Sequence, residues 1–125
     1  MENTEKINVA VLGASAKPER YSNKAVKQLL NNGYEVFPVN PGRPVIHGLK
    51  CLAGLPDIPV PIHTLSLYVS AEVSARSAQN ILALAPGRVI FNPGAENPDL
   101  MQKLEEKGIR TLEACTLVLL STGQF

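Results

Sequence analysis

The sequence has no long apolar run and few cysteines. Its apolar stretches all fall short of the roughly 18 residues that a membrane-spanning helix needs, so no membrane is expected as a partner. The two cysteines, Cys51 and Cys115, cannot form the disulfide framework of a small secreted protein. No signal-peptide pattern is visible. We therefore expect a cytoplasmic protein with reduced thiols.

Charge of one sign is not in excess either. Twelve Lys and Arg residues stand against eleven Asp and Glu residues, and the formal net charge is +1. This balance gives no reason to expect nucleic acid as a partner. The first 50 residues are mildly basic, with seven basic and four acidic side chains. A small polyanion would suit such a surface.

Metal-ligand and catalytic patterns are also missing. No spacing of His, Cys, Asp or Glu matches a metal site, and no nucleophile has an adjacent base. His47 and His63 lie around a proline-rich segment and are interpreted as loop or strand-end residues without chemistry. Glu96 and Glu113 have no partner that would make either of them a general base. The sequence therefore predicts a binding protein rather than an enzyme.

What is present suits one domain over residues 1–125, in which strands and helices alternate. Of the 125 residues 45% are hydrophobic, and compact domains cluster near about 100 to 150 residues. Short segments predict strands at 7–12, 35–39, 64–69, 88–91 and 109–112, by an apolar run at 7–12 and by side chains that alternate between two faces at 64–69. Helical spacing predicts helices at 23–32 after a Ser22 cap, 71–85 after a Ser70 cap, 98–107, and a short one within 115–120. The proline-rich stretch 41–62 is expected to hold a short extended piece at 49–52 and a helical turn at 55–58.

This alternation is typical of a Rossmann-like α/β domain, with a five-stranded parallel sheet and helices on both faces. We predict the strand order 3-2-1-4-5. Ligands bind such sheets beyond the carboxyl ends of the strands, at the point where the winding reverses, which this order places between strands one and four. The loops that would form the site are then 13–22, 39–43, 69–70 and 92–96.

The loop 13–22 has the composition of an anion site. Gly13 allows close backbone approach, and Ser15 supplies a hydroxyl. Lys17 and Arg20 supply positive charge, and the helix that follows presents free N–H groups at its N-terminus. A diphosphate is the group that such a loop would bind.

Two common nucleotide fingerprints are absent from the same region. An NAD site of this fold usually has G-x-G-x-x-G, but Ser15 and Pro18 occupy the glycine positions after Gly13. The second predicted strand ends in Val39-Asn40-Pro41, without the acidic residue that binds ribose hydroxyls. No G-K-[ST] follows the first strand, as a Walker P-loop would require. These absences disfavour NAD, and they disfavour ATP or GTP hydrolysis by the P-loop machinery.

Four short motifs resemble one family across nearly the whole chain. They are Val-Leu-Gly-Ala-Ser with Lys-Pro-x-Arg-Tyr-Ser in 11–22, Val-Asn-Pro-Gly-Arg in 39–43, Tyr-Val-Ser in 68–70 and Asn-Pro-Gly-Ala-Glu in 92–96. With these motifs the chain resembles the small stand-alone CoA-binding proteins, which are similar to the CoA-binding domain of the succinyl-CoA synthetase α subunit. The motifs fall on the loops that strand order had already selected.

The resemblance implies a coenzyme A site with a role for each loop. The first loop would hold the diphosphate, and Arg43 would meet the ribose 3′-phosphate, for which a guanidinium is well shaped. Val39 and Pro41 would flank the adenine, 68–70 would line it, and 92–94 would follow the pantetheine arm. The expected ligand-binding residues are Gly13, Ala14, Ser15, Lys17, Arg20, Tyr21, Ser22, Val39, Asn40, Pro41, Arg43, Tyr68, Val69, Ser70, Asn92, Pro93 and Gly94.

The resemblance does not imply the synthetase's reaction. That enzyme works through a phosphorylated histidine in a further domain, and this sequence shows no counterpart of that domain. Cys115 lies where a CoA thiol would be in reach, but a cysteine at such a position is more often a small core residue, and we interpret it as one. The expected function is a non-catalytic module that carries or senses CoA or an acyl-CoA.

Two other functions stay open. The fold alone is compatible with an NAD(P)-dependent enzyme of the Rossmann class. The apolar stretch 117–120 is compatible with a nucleotide-free interaction module, which would form a homo-oligomer or dock a partner protein.

Overall fold

Strands and helices alternate along the chain, as the periodicity predicts. The computed structural model describes residues 6–125, so residues 1–5 of the expected domain lie outside the described part. In chain order the elements are β1 (Asn8–Leu12), α1 (Tyr21–Asn31), β2 (Glu35–Val39), β3 (Val45–Ile46), β4 (Leu49–Lys50), a 3-10 turn (Leu55–Asp57), β5 (Thr64–Leu67), α2 (Ala71–Arg76), α3 (Ala78–Leu84), β6 (Arg88–Phe91), α4 (Pro98–Glu106), β7 (Arg110–Glu113) and α5 (Thr116–Ser121). Within residues 6–125 no helix has the length and apolarity that crossing a bilayer requires.

Five of the strands form one parallel sheet in the order β2-β1-β5-β6-β7. The expected α/β architecture, a five-stranded parallel sheet with helices on both faces, is confirmed. The expected strand order is wrong: counted along the chain the order is 2-1-3-4-5 rather than 3-2-1-4-5. The winding therefore reverses between β1 and β5, and the edge where ligands bind centres on these two strands.

One observation of the structure and one feature of the sequence agree with the observed order. All four residues of β5 are buried, as a strand between two neighbours requires. Pro38 in β2 has no N–H to donate, so β2 suits the edge of the sheet. On the outer side of β2 the Pro38 carbonyl accepts a hydrogen bond from Leu52 N at 2.9 Å. The predicted order would have placed this proline in an interior strand, where its missing donor would break a ladder.

The two faces of the sheet are covered by different helices. Alternate β1 residues point to opposite sides, and Val9 and Val11 pack with Val26 of α1. Ala10 and Leu12 belong to the core on the other face, which α3 and α4 cover. The largest fully buried side chain is Phe91, and burying a side chain of this size contributes about 1.5–3 kcal/mol.

The helix α5 packs beside α1 on the same face. The short helix expected within 115–120 is thereby confirmed. Val118 is 54% exposed, while Leu117, Leu119 and Leu120 are half-buried. Most of the apolar stretch 117–120 is therefore covered within the chain itself.

The proline-rich segment 41–62 is more ordered than expected. β3 and β4 form an antiparallel hairpin, closed by His47 and Gly48 with φ of 48° and 83°. Positive φ at both central positions matches the twist of a two-residue hairpin turn. The expected extended piece appears as β4 with a bridge from Leu52 to β2, and the expected helical turn is the 3-10 turn. The hairpin thus runs beside the outer edge of β2.

Two helix boundaries differ from the prediction. α1 begins at Tyr21, because a turn from Lys17 to Arg20 brings Arg20 into an extended N-cap conformation (φ −76°, ψ 141°). Ser22 consequently lies in the first turn and is not the cap. The helix expected over 71–85 is two helices that meet at Ser77, whose φ of −97° and ψ of 3° take the backbone out of the helical region.

Candidate functional site

The four candidate loops meet at the carboxyl edge of the sheet. Gly13 N and Ala14 N donate to Val39 O at 3.1 and 3.3 Å, which joins the loops after β1 and β2. Tyr68 N donates to Leu12 O at 2.9 Å, which joins the loop after β5 to the end of β1. At the end of β6, Asn92 Nδ2 donates to Leu67 O at 2.8 Å. These hydrogen bonds bring four separate chain segments into one surface.

Gly13 is required by this convergence. Its φ is +89°, a left-handed conformation that side chains disfavour. A Cβ at this position would come within 2.9 Å of Val69 Cγ1 and 3.0 Å of Tyr68 O. The glycine therefore permits the close approach of the loop after β5 to the loop after β1.

The loop after β1 is held in place by two asparagine side chains that donate hydrogen bonds to its carbonyl oxygens. Asn40 Nδ2 donates to Ala14 O at 2.7 Å, and Asn23 Nδ2 donates to Ser15 O at 2.9 Å. The Ser15 hydroxyl accepts from Lys17 N at 3.1 Å and closes a local turn. Within residues 6–125 neither Ser15 N–H nor Ala16 N–H has a hydrogen-bond acceptor. Two peptide donors of this loop are thus available to a ligand.

The N-terminus of α1 adds further donors and positive charge. No side chain caps this 11-residue helix, so the N–H groups of its first turn stay available and carry the positive end of the helix dipole. Lys17 and Arg20 are exposed beside it, and Lys24 Nζ lies 5.5 Å from the centre of the Tyr21 ring. The ion pair found among residues 6–125 joins Arg76 and Glu72, away from this loop. Among residues 6–125 no carboxylate lies within ion-pair distance of Lys17, Arg20 or Lys24, although Glu19 belongs to the same loop.

The loop after β2 presents Arg43 on a fixed turn. Asn40 Oδ1 accepts from Gly42 N, and Asn40 O accepts from Arg43 N, both at 2.8 Å. Arg43 is exposed and has a φ of 53°. The Val39 side chain is buried in the core, so this residue contributes its carbonyl rather than a surface. Pro41 is exposed on the turn.

The loop after β5 combines an exposed helix cap with a buried phenol. Ser70 Oγ accepts from Val73 N at 3.3 Å and caps α2. Tyr68 is half-buried, and burial raises the pKa of its phenol to about 12. The hydroxyls of Ser66 and Thr116 lie nearby and oppose part of this shift. They bond to each other at 2.8 Å, however, and the phenol oxygen has no hydrogen-bond partner among residues 6–125.

The loop after β6 is anchored by Asn92. This side chain is 1% exposed, and its amide donates to Ser66 Oγ and Leu67 O while Oδ1 accepts from Thr116 N. Asn92 therefore supports the loop and offers no free side-chain group. Pro93 and Gly94 are exposed on the loop surface.

The predicted site residues fall into three groups by exposure. Exposed are Lys17, Arg20, Tyr21, Pro41, Arg43, Ser70, Pro93 and Gly94; half-buried are Gly13, Ser15, Asn40, Tyr68 and Val69; buried are Ala14, Ser22, Val39 and Asn92. The first two groups supply the accessible surface. The buried group supports the loops or contributes backbone atoms.

Sequence reasoning missed two residues that contact this site. His47, at the turn of the β3–β4 hairpin, lies 2.9 Å from Asn23 Oδ1 through its Nε2 atom. Asn23 in turn bonds to Ser15 O. The sequence signals are weak: a histidine in a two-residue turn, and an asparagine in the first turn of a helix.

Other reactive groups lie in less suggestive places. Cys51 is buried, and this burial raises the pKa of its thiol. Cys115 is half-buried just before α5. His63 bonds to Thr64 Oγ1 at the opposite edge of the sheet. In the described part of the chain, no group of three or more His, Cys, Asp or Glu residues could hold a metal ion.

Most of this chain is similar in sequence to a known protein family and to a known relative. The family model described as "CoA binding domain" matches residues 8–121. The uncharacterized protein YneT of Bacillus subtilis is 31% identical over 100 residues, which cover 80% of this chain and 74% of YneT.

Solved structures share the fold. An uncharacterized protein of known crystal structure superposes with a TM-score of 0.91 at 36% identity, covering 97% of this chain and 99% of that protein. The dinucleotide-forming acetyl-coenzyme A synthetase 1 of Ca. Korarchaeum cryptofilum, solved with phosphate and ADP, superposes with a TM-score of 0.72 at 22% identity. This superposition covers 86% of this chain and 25% of the synthetase, and it shows similarity of fold alone.

Proposed function

Because this chain belongs to the CoA binding domain family, whose match spans residues 8–121, we propose that it binds coenzyme A, free or acylated. The site is the carboxyl edge of the sheet. The observation that carries the proposal is the convergence of four loops there, joined by the hydrogen bonds of Gly13, Asn40, Tyr68 and Asn92. Each of these loops carries one of the motifs that resemble the family.

The diphosphate is assigned to the loop after β1. The backbone at Gly13 and Ser15, the Lys17 ammonium and the uncapped first turn of α1 supply donors and positive charge for it. Arg20 and Tyr21 lie exposed at the end of the same loop and would close over the diphosphate, with Ser22 behind them. No single one of these contacts is specific, but together they suit two adjacent phosphates.

The remaining parts of the ligand follow from the order of the loops. The adenine would lie between the backbone of Val39 with Pro41 on one side and residues 68–70 on the other. Arg43, exposed on its turn, would pair with the ribose 3′-phosphate. The pantetheine arm would pass over Pro93 and Gly94 on the loop that Asn92 anchors. A module of this kind carries or senses CoA and needs no catalytic group of its own.

Isothermal titration calorimetry with CoA, dephospho-CoA and NAD tests the proposal. We expect a micromolar or tighter complex with CoA and a weaker one with dephospho-CoA. Arg43→Gln should weaken CoA binding by about 10- to 100-fold, because a charge-assisted hydrogen bond contributes about 1.5–3 kcal/mol. It should also abolish the difference between CoA and dephospho-CoA.

The matched control is Arg110→Gln. Arg110 is also exposed, but it lies at the amino end of β7, away from the site, so this variant should bind CoA like the wild type. Equal affinity of the wild type for NAD and CoA would overturn the proposal. If Arg43→Gln still preferred CoA over dephospho-CoA by the wild-type factor, the role of Arg43 would be wrong.

A further inference from the structure

A side-chain link joins the β3–β4 hairpin to the loop after β1. His47 Nε2 lies 2.9 Å from Asn23 Oδ1 and 3.2 Å from Asn23 O. Both of these oxygens are acceptors, so the imidazole nitrogen between them carries a proton and donates. The hairpin therefore holds the first turn of α1 through a histidine.

Asn23 passes this contact on to the loop. Asn23 is 5% exposed, and its Nδ2 donates to Ser15 O at 2.9 Å. Because His47 donates to Oδ1, the amide must present its NH₂ group on the other side, toward the Ser15 carbonyl. His47 and the Ser15 carbonyl thus require the same orientation of the Asn23 amide.

A second asparagine holds the neighbouring carbonyl. Asn40, which precedes the hairpin, donates from Nδ2 to Ala14 O at 2.7 Å. In a trans peptide the C=O and the following N–H point in opposite directions. When the carbonyls of Ala14 and Ser15 are bound to amides, the N–H groups of Ser15 and Ala16 therefore point away from those amides. These are the two loop N–H groups that have no acceptor within residues 6–125.

The position of His47 in the hairpin supports a use for its side chain. With a φ of 48° it adopts the left-handed conformation, which asparagine and glycine tolerate better. The ring itself is not required to fill the core, because His47 is exposed. The contact with Asn23 is the interaction that its imidazole makes.

We propose that His47 is a positioning residue for the diphosphate site. Through Asn23 it holds the Ser15 carbonyl, and so orients the loop N–H groups that bind the ligand. Arg43 lies two residues before β3 of the same hairpin, so one segment positions the groups for both the diphosphate and the 3′-phosphate. The inference rests on the proposed function. It adds to the candidate site a residue that acts through Asn23 and contacts no ligand itself.

The test compares His47→Gly with His47→Gln. Glycine suits the positive φ, so His47→Gly folds while lacking the imidazole. It should bind CoA and dephospho-CoA about 10-fold more weakly, and by the same factor, because the diphosphate is common to both ligands. Glutamine places an amide nitrogen near the position of Nε2 and should restore affinity to within about 3-fold.

A matched control and a ligand-free measurement complete the test. His63→Gly removes the other histidine, at the opposite edge of the sheet, and should leave CoA affinity unchanged. In NMR spectra without ligand, His47→Gly should shift the amide resonances of Ser15 and Ala16, and His47→Gln should leave them near their wild-type positions. Wild-type CoA affinity and unshifted amides in His47→Gly would overturn the inference.

The two proposals fail in different ways. If the wild type binds no CoA, the proposed function fails, while the NMR comparison still decides whether His47 orients the loop. If the wild type binds CoA and His47→Gly binds it equally well, the proposed function stands and the inference on His47 fails.

Discussion

Tyr68 stands at the end of β5 with a buried phenol oxygen that has no hydrogen-bond partner among residues 6–125. A buried polar group without a partner has lost its hydration, which costs about 1–3 kcal/mol. The neighbouring hydroxyls of Ser66 and Thr116 are bonded to each other instead. We therefore expect the Tyr68 hydroxyl to lower the stability of the fold beside the candidate site that it lines.

Replacing Tyr68 by Phe should therefore stabilise the protein. We expect the free energy of unfolding at neutral pH to rise by about 1 kcal/mol, because the unpartnered oxygen is removed. Chemical denaturation measures the change. Tyr21→Phe is the control, since Tyr21 is 68% exposed and its hydroxyl is hydrated in both states. A loss of stability in Tyr68→Phe would show that the phenol has a hydrogen-bond partner in solution.

The same pair of variants has a pH signature. The pKa of Tyr68 is raised by burial from 10.0 to about 12, so between these values the folded state retains a proton that the unfolded state has lost. The titration of Tyr68 therefore leaves the free energy of unfolding unchanged below pH 10 and lowers it as the pH rises from 10 toward 12. The wild type and Tyr21→Phe should both show this loss, and Tyr68→Phe should lack it.

At the scale of single residues, the sequence motifs identified the exposed cations of the candidate site, but they did not predict the contacts that hold the loops in place. Lys17 and Arg43 stand out as cations in loops after strands. The chain from His47 through Asn23 to Ser15 could not be predicted, because its first contact joins residues 24 positions apart. That contact depends on how the hairpin packs against α1, and the proline-rich sequence gave no regular pattern from which to predict a hairpin.

At the scale of elements, Asn92 joins β5, β6 and α5. Its amide bonds to Ser66 Oγ and Leu67 O at 2.9 and 2.8 Å, and its Oδ1 accepts from Thr116 N at 2.8 Å. All three contacts are buried, so their loss cannot be replaced by water without rearrangement. The side chain fixes the start of α5 over the carboxyl edge of the sheet.

Asn92→Ala should therefore be strongly destabilising. We expect the free energy of unfolding to fall by about 2–4 kcal/mol, because three buried hydrogen bonds are lost. Asn80→Ala, at an exposed position of α3, should change it by less than about 0.5 kcal/mol. Thermal and denaturant unfolding of both variants measure the difference. Equal stabilities would mean that water replaces the Asn92 amide.

Element types could be predicted well from periodicity, and strand order could not. The strands are short segments with apolar runs or alternating side chains, and such a pattern identifies a strand without naming its neighbours. Pro38 contained the decisive information, since a residue without an N–H belongs at an edge. The break at Ser77 was missed because apolar residues continue at helical spacing on both sides of it.

For the whole molecule, the candidate site lies at one edge of the sheet, where the strands have their carboxyl ends. The carboxyl ends of β1 and β2 carry the loops with Lys17, Arg20 and Arg43, which are three of the seven basic residues among the first 50. Because the ligand would bind the folded chain alone, CoA at 100 times its dissociation constant should raise the free energy of unfolding by about 2.7 kcal/mol.

The central claim is that the carboxyl edge selects coenzyme A. Native mass spectrometry of the purified chain with equal concentrations of CoA, dephospho-CoA and NAD tests it most directly, because each complex is identified by its own mass. We predict that one CoA per chain is the dominant complex, followed by dephospho-CoA, with little NAD bound. A chain that stays free of CoA, or that takes up NAD equally well, would contradict the account.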